Sequence, residues 1–88
     1  MTDYKAIYII SPNEVSERVI SEMLKADFKC TKLSSIGAYL KTGQTTIFTI
    51  TEREKIDKVK KIIKEIKDNH RNCDFLIYST EVIDFYKI

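Results

Sequence analysis

Tyr4-Lys5-Ala6-Ile7-Tyr8-Ile9-Ile10, followed at once by Ser11-Pro12-Asn13-Glu14 and then by Val15, Val19, Ile20, Met23 and Leu24, is the passage on which the fold turns. Its first seven residues are β-branched or aromatic at most positions, as strands prefer. They are apolar almost throughout rather than alternating, so the strand is expected to lie centrally, covered on both faces. The next four residues read as a helix start: Ser11 can cap, Pro12 suits the first helical position, and Glu14 can close a capping box. The valines, isoleucine, methionine and leucine then recur at helical spacing, giving one apolar stripe that runs to about Ala26.

Outward from this unit the pattern repeats. Phe28 to Leu33 alternates and reads as a second strand. Gln44 to Thr51 is a third strand of high β propensity. Thr51-Glu52-Arg53-Glu54 is a second capping box, and Ile56, Val59, Ile62, Ile63 and Ile66 form the stripe of a second helix behind it. Phe75 to Tyr78 makes a fourth strand, followed by an apolar tail from Val82 to Ile88 whose state is left open. The order βαββαβ defines an α+β, ferredoxin-like architecture, and right-handed crossovers put both helices on one face of a four-stranded antiparallel sheet.

At 88 residues the chain is read as one domain, residues 1–88. A chain of this size buries only about 60–65% of its unfolded surface, so oligomerisation is an ordinary remedy for marginal stability. Strands one, three and four carry apolar or hydroxyl side chains on both faces: Tyr4, Tyr8, Ile7, Ile9, Ile47, Phe48, Ile50, Leu76 and Tyr78. An open sheet face on a monomer is more polar than this, so the face is expected to be buried against other copies. A monomer with a half-apolar face, or a face covered by the 82–88 tail, are the alternatives.

Composition excludes several classes. Fifteen basic residues against thirteen acidic ones give a net charge of +2, too balanced for a phosphate-backbone binder. The lysines of the second helix (Lys55, Lys58, Lys60, Lys61, Lys64, Lys67) interleave with Glu54, Asp57, Glu65 and Asp68, which reads as a solvated helix face. No apolar run is long enough to span a membrane, and the first residues lack the pattern of a signal peptide, so a cytoplasmic location is expected. Cys30 and Cys73 read as small apolar strand residues, and His70 as a surface residue of the turn Asp68-Asn69-His70-Arg71-Asn72. No His–carboxylate or Cys–His arrangement, metal cluster or Walker-type loop is legible, and the chain is not read as an enzyme. No cofactor and no metal are expected.

The remaining segment, Thr31 to Thr46, holds both glycines of the chain, Gly37 and Gly43. Backbone amides around them can receive phosphate oxygens as a nest. Lys29, Lys32 and Lys41 bring positive charge, and Tyr39 and Leu40 offer apolar surface to a base. A plain hairpin with glycines at its turns fits the same residues.

Thr31-Lys32-Leu33, then Gly37-Ala38-Tyr39-Leu40-Lys41, then Gly43-Gln44-Thr45-Thr46 resembles the signature of the PII-like cyclic-di-AMP receptors (the DarA or PstA family). The likeness runs from the first strand through the second helix and resumes at Val82-Ile83-Asp84-Phe85-Tyr86-Lys87. It implies a homotrimer of ferredoxin-like subunits with inward-facing sheets, and cyclic-di-AMP in clefts between neighbours. By position, Thr31, Gly37, Ala38, Tyr39, Leu40 and Gln44 line that site, with Asp27 and Lys29 at its edge and Ile50 close by. Thr31 is implied to hydrogen-bond base or phosphate, the amides from Ala38 to Leu40 to meet phosphate, and Tyr39 to pack on adenine. The family carries Asn at Asp27, Arg at Lys29, Gly at Ala38, Asn at Gln44 and a ligand-contacting Gln at Lys87. Its long loop before the last strand is reduced here to about Asn69–Asn72. A nucleotide second messenger, cyclic-di-AMP or an adenine nucleotide, is the expected ligand, with a downstream protein target left unnamed. A PII-like interaction module without nucleotide binding is the alternative.

Overall fold

The computed structural model describes residues 3–33, 43–84 and 86. The elements run β1 (Tyr4–Pro12), α1 (Asn13–Lys25), β2 (Thr31–Leu33), β3 (Gln44–Glu52), α2 (Ile56–Asn69) and β4 (Leu76–Val82). The sheet has the order β2-β3-β1-β4 and every neighbouring pair is antiparallel. This is the expected ferredoxin-like topology, with β1 and β3 central.

Register divides the residues between two faces. Ile9 opposes Ile47 and Ile77, and Ile7 opposes Thr49 and Ser79. Apart from the exposed Ser79, these side chains lie under the helices, where Val19 and Met23 of α1 and Val59, Ile63 and Ile66 of α2 close a core with Ile7, Ile9, Ile47 and Phe28. Ile7, Ile9, Val19, Met23 and Ile47 have no accessible surface at all. The stripe read from helical periodicity is therefore the face that packs, and Lys60, Lys61 and Lys64 of α2 stand outside it.

The opposite sheet face carries Tyr8, Ile10, Phe48, Ile50, Leu76 and Tyr78, the partners one residue out of phase. Tyr8 stacks on Tyr78 with centroids 4.9 Å apart and tilts against Phe48 at 5.1 Å. Even so, Leu76 is 55% and Tyr78 46% exposed. The tail does not cover them where it is described, since Ile83 and Tyr86 are themselves 89% and 83% exposed.

Several local expectations are corrected. Neither capping box forms. β1 continues through Ser11 and Pro12, which pair with Thr45 and Gln44, so Pro12 is the cap position rather than the first helical residue. Ser11 Oγ, fully buried, donates to the Pro12 carbonyl, and Glu14 accepts from the Cys73 thiol at 3.4 Å. Thr51 likewise stays in β3 opposite Lys5, and a 3₁₀ turn at Arg53–Lys55 delays α2 to Ile56. β2 enters the ladder only at Thr31, and β4 runs on to Val82, into the expected tail. Neither cysteine is in a strand. Cys30 precedes β2 and packs against the core, and Cys73 is buried beyond the α2–β4 turn. Burial raises both thiols above their ordinary range, and Glu14 adds to the effect at Cys73. His70 is exposed in that turn, as expected.

At the other end of β1, Lys5 and Arg53 converge on Glu81. The Lys5 ammonium lies 2.9 Å from the carboxylate, and Arg53 donates to both of its oxygens at 2.6 and 2.7 Å. Hydrogen bonds from Lys5 and then Arg53 hold Glu81 below the usual carboxylate range. A depressed folded pKa gives stability that is present above the unfolded value, about 4.3, and is lost as pH falls through the folded one. Thermal melts of Glu81→Gln are therefore expected to fall below wild type above about pH 5, the gap closing as pH falls through the lowered Glu81 pKa.

Candidate functional site

The functional residues depend first on how α1 hands the chain to β2. Asp27 adopts φ 69°, the left-handed region. The Phe28 amide donates to the Met23 carbonyl at 3.0 Å and the Asp27 amide to that of Leu24 at 3.0 Å. Together these form a Schellman motif, with Asp27 in the place usually held by glycine. Phe28 and Met23, on either side of it, both enter the core. Asn and Asp tolerate this conformation better than other residues with a side chain, which accounts for their use here.

From this turn the chain alternates outward. Phe28 and Cys30 face the core while Lys29, Thr31 and Leu33 are exposed. Thr49 Oγ1, on a residue 2% accessible, donates to the Lys29 carbonyl at 2.5 Å and so fixes this lead-in to β3. Thr31 then pairs with Phe48 and Leu33 with Thr46, which sets both on the β2 edge of the uncovered sheet face.

At the far end of β3, Gly43 has φ +93°, and no atom of the described residues lies within 4 Å of where a Cβ would stand. The turn, and not crowding, therefore demands glycine there. The Gly43 carbonyl accepts from the Asn13 amide at 2.8 Å, and Thr45 Oγ1 donates to Asn13 Oδ1 at 2.5 Å. The start of α1 is thereby tied to the start of β3. A cleft of about 570 Å³ opens beside this tie, with Asn13, Glu17, Lys32, Leu33 and Gln44 among its walls. Lys32 and Glu17 form an ion pair across it at 3.1 Å.

A second cleft, about 480 Å³, lies at the opposite end of β2 and β3. Asp27, Lys29 and Ile50 line it, joined by residues that the sequence did not assign to a site: Tyr4, Glu52, Lys55 and Lys58. Ile50 is 43% exposed.

The sequence-predicted set thus divides. Asp27, Lys29 and Ile50 share one cleft, Gln44 belongs to the other, and Thr31 stands on the edge strand between them. Gln44 and Ile50 are separated by about 20 Å of strand. Gly37, Ala38, Tyr39, Leu40 and Lys87, with Lys41, lie outside the described residues. Lys55 and Lys58 escaped the sequence reading because they look like any other lysines of an amphipathic helix. Only the return of α2 beside the α1–β2 turn brings them to the cleft. Among the described residues no group of His, Cys, Asp and Glu is arranged to hold a metal ion, and no helix is long and apolar enough to cross a membrane.

The fold is that of PII-like proteins. CPII from Thiomonas intermedia K12, a nitrogen regulatory PII-like protein bound to ADP, AMP and bicarbonate, superposes with a TM-score of 0.64 at 13% identity, over 91% of this chain and 88% of that one. A PII-like signalling protein of Thermus thermophilus gives 0.58 at 14% identity, over 92% and 87%. A functionally unknown protein from Pediococcus pentosaceus matches along the whole of both chains, with a TM-score of 0.77 and 18% identity. The sequence profile of the cyclic-di-AMP receptors matches residues 4–84, and the chain belongs to that family.

The conformation of Asp27 makes a direct prediction. Asp27→Gly removes the left-handed penalty and a negative charge at the C-terminal end of α1. It is expected to stabilise by about 0.5–1 kcal/mol, read as a rise of about 2–8 °C in Tm by thermal denaturation.

Proposed function

We propose that this protein is a PII-like signalling receptor that binds a nucleotide second messenger, cyclic-di-AMP or an adenine nucleotide, in clefts between the subunits of a cytoplasmic homotrimer. The observation that carries this reading is the position of Asp27, Lys29 and Thr31 along the β2 edge, with Ile50 of β3 beside them, next to an uncovered apolar sheet face. A ligand held on one chain alone would be open to water on that side, and a second copy seated on the face would close it.

Family membership supports cyclic-di-AMP as the ligand. The ADP and AMP bound by Thiomonas CPII support a wider adenine-nucleotide class. In this reading Thr31 donates to a base or phosphate oxygen, the amides from Ala38 to Leu40 meet phosphate, Tyr39 packs on the base, and Gln44 and Lys87 complete the contacts. The split of the described residues between two clefts also favours subunit edges, since one small ligand cannot span about 20 Å of β3 unaided. The protein then works by binding and not by catalysis, passing occupancy to a protein target.

Calorimetric titration of the full chain with cyclic-di-AMP, ATP, ADP and AMP tests the ligand. Binding of at least one is expected, weakened about tenfold by Thr31→Ala, about 1.4 kcal/mol. Silence with all four would instead favour a PII-like interaction module without nucleotide binding. Light scattering tests the assembly, for which a trimer is expected at micromolar concentration; a stable monomer there would sink the inter-subunit site.

A further inference from the structure

The cleft at the α1–β2 turn has a charge balance that neither helix stability nor surface ion pairing explains. Lys29, Lys55 and Lys58 face it, against the carboxylates of Asp27 and Glu52. Glu52 is engaged with Lys55 at 3.9 Å, the outer limit of an ion pair. The Lys58 ammonium lies instead over the buried Phe28 ring, 5.9 Å from its centroid. Among the described residues no carboxylate pairs with Lys29 or with Lys58. Lys55 and Lys58 moreover stand at the N-terminal end of α2, where the helix dipole disfavours cations. Two lysines placed against the local field raise the positive potential of the space they border.

We propose that this cleft is an anion subsite, with Lys29, Lys55 and Lys58 as its cations and a phosphate group as its occupant. The proposal rests on the nucleotide reading above for the source of that phosphate, and adds α2 to the residues that hold the ligand. Its volume of about 480 Å³ is that of a small-molecule pocket. The chemistry selects phosphate over carboxylate. No arginine fork lines the cleft to grip two coplanar oxygens, whereas separate ammonium groups on flexible stems suit the divergent oxygens of a tetrahedral phosphate. Tyr4 and Ile50 give the apolar wall toward Thr31, so a nucleotide entering phosphate-first leaves its base along the β2 edge.

The test is calorimetry on the full chain with cyclic-di-AMP, ATP, ADP, AMP and pyrophosphate as probes. Variants are Lys55→Gln, Lys58→Gln, the double variant, Lys58→Arg and, as a control on the exposed side of α2, Lys64→Gln. Each single neutralisation is expected to weaken binding about three- to fivefold and the double about tenfold or more, as for partly screened charges. Lys64→Gln stays at wild type. Lys58→Arg keeps the affinity, which separates charge from any loss of packing on Phe28, and circular dichroism checks that each variant folds. Nucleotide binding that both glutamine variants leave untouched overturns the subsite while the receptor reading stands. Pyrophosphate binding that needs Lys58, with no nucleotide bound, supports the subsite and overturns the receptor reading. Silence with all five probes overturns both.

Discussion

Nine consecutive residue pairs join β1 to β3, from Tyr4 opposite Glu52 to Pro12 opposite Gln44, and their register determines which side chains meet the helices. A slip of β3 by one residue along β1 would put Phe48 under α1 and α2 and turn Ile47 to the other side, while Ile7 and Ile9 stayed where they are. The register is held at both ends by contacts outside the ladder. At one, Asn13 binds the Gly43 carbonyl through its amide and Thr45 through its side chain. At the other, the Arg53 amide donates to the Asp3 carbonyl at 3.0 Å, just where Arg53 also meets Glu81 of β4. The core, the second face and the two clefts all follow from this alignment.

β2 is a more delicate attachment. Among the described residues Thr31, Lys32 and Leu33 enter the ladder, and the preceding stretch is held by the turn at Asp27 and by Thr49 reaching the Lys29 carbonyl. Thr31 therefore sits on an edge strand, with Asp27 and Lys29 on its lead-in, beside the fully paired β3 and β1. That arrangement leaves backbone and side chains on one border accessible, as a binding site requires. Thr49 shows why a hydroxyl stands among the isoleucines: its buried oxygen supplies the donor that an otherwise unpaired carbonyl needs.

The architecture was legible in the sequence because periodicity and β propensity are local signals, and each helix stripe chose the face that packs. The ends of elements were less legible. Ser11 and Thr51 have the residue type and spacing of helix caps, yet both continue their strands, since pairing with Thr45 and Lys5 outweighs a local cap. The length of β4 was hidden for the same reason, as Ser79 to Glu81 are polar but gain ladder partners in Ile7, Ala6 and Lys5. Of the candidate site, Asp27, Lys29, Thr31, Gln44 and Ile50 came from a family pattern, which orders residues along the chain without saying which share a cleft. That Gln44 lies apart from Ile50, and that Lys55 and Lys58 join Lys29, are facts of packing between segments distant in sequence.

The stack of Tyr8 on Tyr78 beside Phe48 has one more consequence. The chain has five tyrosines and no tryptophan, so its ultraviolet emission and near-ultraviolet dichroism are dominated by tyrosine, unmasked by a stronger chromophore. Two of those tyrosines lie ring to ring on the uncovered sheet face, Tyr78 exposed to solvent and Tyr8 half-buried beside it. Whatever comes to rest on that face dehydrates the pair, and the molecule carries its own optical gauge of whether the surface is occupied.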